Sequence, residues 1–180
     1  GLSGRGPLGP GERGVYSGGR GVQRITVICV AKLKEKFYAQ AAAEYAKRLG
    51  RYCKLELIEL PEQRLPENPS PVEIERALAR EAEAVRAKLP PSAALAALCI
   101  EGTLHSSEAF SRLLDGPGGG EKGLVFLIGS SFGLAPALKQ AAWVRLSMSP
   151  MTFPHHLARV MLLEQIYRGF QIREGGKYHK

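Results

Sequence analysis

The chain has 180 residues, 44% hydrophobic and 23% charged. That is enough for one domain with its own core, and no apolar run is long enough to span a membrane. The N-terminal arginines precede no apolar segment, which excludes a secretory signal. Cys29, Cys53 and Cys99 are scattered inside apolar runs, which argues against zinc or a disulfide framework and for reduced thiols in the cytoplasm. The formal charge of +8 is segregated: +3 over residues 1–24, +5 over 25–54, −5 over 55–136 and +5 over 137–180. Ordinary solubility charge is the plain alternative, but basic ends around an acidic middle favour one positive face suited to nucleic acid.

Residues 1–23 form a Gly/Arg-rich leader with little to bury, and disorder is expected there. Order is predicted from Ile25, where ITVICV reads as a strand buried on both faces. Lys32, Lys34 and Lys36 follow. A helix then runs to Leu49, with Phe37, Ala41, Tyr45 and Leu49 on its inner face and Gly50 as its cap. LELIEL at 55–60 alternates apolar residues with Glu, as in a half-exposed strand near a sheet edge. After a proline-rich loop, Ser70-Pro71-Val72-Glu73 carries a capping box and opens a charged helix to about Leu89.

LAALCI at 95–100 is a further buried strand, ended by Glu101-Gly102. Ser106 caps a short helix through Leu114, and DGPGGGEKG is a loop. Leu124–Ile128 is the next strand, Pro136 opens a short helix, and Val144–Ser147 is a last short strand before a helix at 155–170. Strands alternating with helices mean a single-domain α/β fold with a parallel sheet, which binds ligands at the carboxyl ends of its strands.

Two strand ends carry the residues of interest. Gly129–Gly133 (GSSFG) lets backbone approach a ligand, although it is neither a P-loop nor GxGxxG and most such turns are only tight turns. Ser147–Phe153 (SMSPMTF) could line a pocket for an adenine or a thioether; taken alone it reads more simply as core packing. The last helix is apolar around most of its circumference and must bury more than one side, centrally or at a subunit interface. Glu164 and Arg168 are spaced for an i,i+4 ion pair. His155, His156 and His179 show no metal-ligand spacing. The tail Lys177-Tyr178-His179-Lys180 would ordinarily fray, but its residue types can also stack on and grip RNA.

Taken together, ITVICVAKLKEKFY, YAKRLGRYCKLELIEL, LHSSEAFSRLL, FLIGSSFGLAP, MTFPHHLARVMLLEQIYRGF and the closing YHK resemble the RlmH group of SPOUT methyltransferases over residues 24–180. Those are bacterial 23S rRNA pseudouridine N3-methyltransferases. The resemblance implies a C-terminal trefoil knot that holds S-adenosylmethionine, with contacts falling on Leu98, Gly129, Met148, Ser149, Pro150, Met151, Thr152 and Phe153. It further implies a homodimer whose partner tail completes the active site, and rRNA of the large subunit or assembled ribosome as substrate, with neither metal nor membrane. One departure stands out: the family usually reads Ile-Gly-Gly where this chain has Ile128-Gly129-Ser130, and the added Cβ is expected to weaken but not abolish cofactor binding.

Methylating an imide nitrogen requires positioning and removal of one proton. His179, with His155 as second candidate, is read as the base or imide-orienting group. Arg159, Arg168 and Lys180 are read as holding phosphates or the developing anion, with Lys177 and Tyr178 gripping RNA. Two other readings stay open: a SPOUT enzyme acting on another RNA such as tRNA, and a catalytically silent RNA-binding or assembly module.

Overall fold

The computed structural model describes residues 13–16, 23–117 and 123–175. Its elements in chain order are β1 (Arg13–Tyr16), β2 (Arg24–Val30), α1 (Lys36–Leu49), β3 (Lys54–Leu60), α2 (Pro71–Arg86), β4 (Ala94–Leu104), α3 (Ser107–Leu113), β5 (Leu124–Ile128), α4 (Pro136–Ala141), β6 (Val144–Ser147) and α5 (His155–Arg173). They build one six-stranded sheet in the order β1-β3-β2-β5-β4-β6, parallel throughout except for β1, which runs antiparallel to β3.

The β-branched and aliphatic runs of β2 and β5 occupy the middle of the sheet, and both faces are covered. Ile25, Val27, Leu55, Leu57 and Phe126 pack under α1, α3 and α5 on one side; Ile28, Val30, Ile58, Leu60 and Leu127 pack under α2 and α4 on the other. The capping box of α2 forms as its sequence predicts: Glu73 N–H donates to Ser70 Oγ at 3.2 Å and Ser70 N–H to Glu73 Oε1 at 3.1 Å. Ser106 likewise caps α3, its Oγ accepting from Ala109 N at 3.1 Å.

Four expectations need correction. Arg13–Tyr16 lies in the leader read as disordered, yet its backbone pairs with Leu55–Ile58 at the sheet edge; residues 1–12 and 17–22 lie outside the described residues. β3 is not half-exposed, because β1 covers its edge and Glu59 turns inward. The inner face of α1 is Ala42, Ala46 and Leu49, while Phe37 is 63% exposed. A four-residue stripe drifts about 40° per step around a 3.6-residue helix, so its last member is fully buried, Tyr45 before it packs partly buried against the core, and the first member is left in solvent. Finally, β4 does not stop at Ile100. Leu98 and Thr103 both face Leu146 of β6, so the intervening residues bulge out of the ladder and the strand resumes to Leu104. A Cβ on Gly102 would lie 2.7 Å from the Leu146 carbonyl carbon, which makes glycine necessary where the bulge rejoins.

β6 is at one edge of the sheet, whereas Arg159, in the first turns of α5, contacts the ends of β2 and β3. The segment between them must therefore cross the carboxyl ends of β4 and β5. α5 then buries Leu162, Leu163, Ile166 and Phe170, with Gly169 set against Leu114, while Leu157, Val160, Met161 and Tyr167 stay half-buried. No helix among the described residues is long and apolar enough to cross a membrane.

Candidate active site

The crossing segment, the glycine loop after β5 and the β4 bulge enclose a cleft of about 710 Å³ at the carboxyl edge of the sheet. Each wall follows from a local rule. Gly129 follows β5 directly, and a Cβ there would overlap the Gly133 carbonyl, so the loop can fold back on itself only with glycine. The turn is closed by Gly133 N–H donating to Ser130 O at 2.8 Å, with Gly133 at φ +83°. The bulge puts Cys99, Ile100 and Glu101 on a second wall. On the third, Ser149 Oγ accepts from Met151 N–H at 3.0 Å, turning the backbone so that Met151 is 72% exposed at the rim.

Of the residues assigned to the cofactor from sequence, Leu98, Gly129, Met148, Ser149, Met151, Thr152 and Phe153 all line this one cleft; Pro150 is exposed on the same loop. His155 lines it too, at the start of α5. The cleft also takes in residues the sequence reading passed over. Phe132 is half-exposed at its rim, and Lys139 Nζ meets Glu101 Oε1 at 2.5 Å, an ion pair that holds the Glu101 carboxyl below its usual range. Phe132 had a signal, a bulky ring inside a glycine turn. The Lys139–Glu101 pair had none, because the two positions meet only through the fold.

Ser130, where the resemblance leads one to expect glycine, is among the residues that line the cleft. It is buried, and its hydroxyl donates to Glu81 Oε1 of α2 at 2.8 Å. Glu81 Oε2 accepts from Gln63 N–H at 2.8 Å, and Glu62 Oε1 accepts from Ser131 N–H at 3.1 Å. The loop after β3 and the loop after β5 are thus tied together behind the glycine turn. Burial pushes the Glu81 carboxyl above its ordinary pKa, opposed by its two hydrogen bonds.

Arg159 is not a surface cation. It is 3% exposed, its Nη1 donates to Glu59 Oε2 at 2.6 Å and its Nη2 to Ala31 O at 3.0 Å, so its guanidinium is engaged within the fold. Leu33 N–H donates to the same Glu59 oxygen at 3.0 Å. Its role is to dock the start of α5 against the ends of β2 and β3. Arg168 pairs with Glu164 one turn earlier, at 2.8 Å, as the i,i+4 spacing predicts. His155 and His156 rings lie 4.2 Å apart, edge to face. Burial, followed by the nearby His155 and Arg159, lowers the His156 pKa, favouring a neutral imidazole. Lys177, Tyr178, His179 and Lys180 lie outside the described residues.

Cys29 and Cys53 are buried, with the Cys53 thiol pushed up to about 12 by burial; Cys99 is half-buried on the cleft wall rather than in the core.

A family model described as "Predicted SPOUT methyltransferase" matches residues 23–179. A protein named ribosomal RNA large subunit methyltransferase H from Levilactobacillus brevis is 44% identical over 157 residues, covering 87% of this chain and 99% of that one. Its namesake from Ligilactobacillus salivarius is 45% identical with the same coverage. Among solved structures, the SpoU methyltransferase AviRb from Streptomyces viridochromogenes aligns at 15% identity and a TM-score of 0.40, covering 87% of this chain and 62% of that one, a likeness too slight to bear weight.

Proposed function

Because this chain belongs to the SPOUT methyltransferases, in the family of ribosomal RNA large subunit methyltransferase H, we propose that it methylates N3 of a pseudouridine in large-subunit rRNA with S-adenosylmethionine. The observation that carries the reading is the cleft itself. Seven of the eight positions assigned to the cofactor from sequence converge on one hollow at the carboxyl ends of parallel strands. Its volume suits a nucleoside-sized ligand, and its lining is largely apolar, with polar groups that include Glu101, Lys139, Ser149, Thr152 and His155. When bound, S-adenosylmethionine supplies a methyl group already activated on a sulfonium.

The chain's own residues do the rest. Gly129 leaves the loop backbone bare, so its peptide groups can face the ligand without a side chain intervening. Leu98, Met148 and Phe153 exclude water beside it. An imidazole takes the N3 proton: His179 of the tail, with His155 in the cleft as the second candidate. Lys177, Tyr178, Lys180 and Arg168 grip the RNA. Arg159 takes no part in this, being committed to Glu59.

The crossing of the 148–153 segment over the ends of β4 and β5 supports a trefoil knot. The half-buried Leu157, Val160, Met161 and Tyr167 of α5 support a homodimer packed on that helix, whose partner tail reaches the cleft. We place the enzyme with its substrate, in the cytoplasm.

The test uses S-adenosylmethionine labelled in its methyl group, offered to assembled ribosomes, free large-subunit rRNA and tRNA, each lacking the modification. Label mapped to N3 of a pseudouridine in rRNA is the expected result. Label in tRNA alone would replace the substrate, and no transfer together with no cofactor binding would overturn the reading. Replacing His155 and His179 together should slow single-turnover transfer by about two orders of magnitude or more. An unchanged rate would remove both from the proton transfer.

A further inference from the structure

The turn from β2 into α1 carries Lys32, Lys34 and Lys36, followed at once by Phe37, the second-most exposed large apolar side chain on the described surface. Phe37 is not isolated. Its ring lies 4.3 Å from Tyr38, Tyr38 lies 6.2 Å from His156, and His156 lies 4.2 Å from His155, which lines the cleft. A row of four rings thus runs from open solvent to the candidate active site. Beside it, Lys34 and Lys36 line a hollow of about 370 Å³ whose floor is the Glu59–Arg159 pair. Glu35 is the acidic residue among the lysines, leaving that turn net positive, and the ion pairs among the described residues include none of the three lysines.

An exposed ring, backed by partly buried ones and flanked by cations, offers what a single-stranded nucleic acid requires: a face for a base and ammonium groups for phosphates. We propose that this track, Phe37 with Lys32, Lys34 and Lys36, holds the unpaired RNA adjoining the nucleotide that enters the cleft. A flanking base stacks on Phe37, and the backbone follows the lysines toward His155. The inference rests on the proposed rRNA substrate. It adds where that RNA lies and explains why a ring of this size is left in water.

The experiment measures pelleting of the full-length protein with ribosomes lacking the modification, across a salt series, with methyl transfer followed in parallel. Phe37→Ala should weaken binding about tenfold, Phe37→Trp should restore it, and cofactor affinity should stay unchanged. Lys34→Gln with Lys36→Gln should lower the slope of log affinity against log salt by about 1.4. Wild-type affinity and slope in these variants would overturn the proposal, as would failure of the wild-type protein to bind ribosomes. If instead the variants changed the molecular mass in solution, the track would be a contact between two copies of the chain, and the proposal would be wrong. Ribosome binding that depends on Phe37 without methyl transfer would uphold the track and remove the enzymatic reading.

Discussion

Two glutamates are buried at the same edge of the sheet, and the fold treats them differently. Glu59, at the end of β3, meets the guanidinium of Arg159 and the Leu33 amide. Glu81, on α2, meets only neutral donors, the Ser130 hydroxyl and the Gln63 amide. The first junction anchors the start of α5; the second backs the glycine loop of the cleft. An ion pair out of water is strong only while both partners remain, whereas a carboxyl held by neutral donors can be neutralised by a proton. One junction is therefore held by a counter-charge and the other by neutral donors around a carboxyl whose pKa burial raises.

The largest effect should come from breaking the ion pair. Arg159→Met leaves Glu59 buried without its counter-charge and should cost about 3–5 kcal/mol in urea unfolding. Glu59→Leu together with Arg159→Met should recover most of that loss. A double variant as unstable as the single one would mean that the packing of the arginine, not its charge, fastens α5. Next is the loop that the second junction backs. Gly129→Ala sets a Cβ against the Gly133 carbonyl, and the loop must open to accept it. Overpacking of this kind costs about 1–3 kcal/mol, so cofactor affinity by calorimetry should fall by about fivefold to a hundredfold. Unchanged affinity would show that the loop shape does not matter to the ligand.

The contrast between the two glutamates also marks what could be read in the sequence. The parallel sheet was legible because ITVICV and LVFLI leave no polar face. The capping box of α2 was legible because it is local. In LELIEL, strict alternation would have put both glutamates on one face, yet Glu59 shares a face with Leu55 and Leu57. That broken alternation signalled a buried charge in need of a partner, but the partner is Arg159, one hundred residues on, and only the fold joins them. The cleft residues were found by family resemblance, not by periodicity, because they belong to loops and to a bulge. Glu81 was invisible for the opposite reason: it sits in an ordinary charged helix, and its partner Ser130 lies forty-nine residues on, in the loop after β5.

Ser130 sharpens the comparison from the loop side. Ser130→Gly removes one of the two donors to Glu81 and should cost about 1–3 kcal/mol of stability, the value of a hydrogen bond to a carboxylate. If the serine crowded the ligand, the same change would instead tighten cofactor binding. Ser130 lines the cleft, but its hydroxyl is taken up by Glu81, and unchanged cofactor affinity is the expected result.

The smallest effect is the most diagnostic, and it concerns pH. Burial raises the Glu81 carboxyl, so the folded state holds that proton more tightly than the unfolded chain does. The resulting stability is fully present below the ordinary carboxylate pKa and is lost as pH rises through the folded value. Glu81→Gln cannot titrate, and whatever its amide loses at the Gln63 N–H is independent of pH. The difference in unfolding free energy between variant and wild type should therefore shift in favour of the variant from about pH 4 to neutrality. Urea midpoints at both ends of that range would measure it. A difference that stayed flat, or moved the other way, would mean that the two neutral donors offset burial fully.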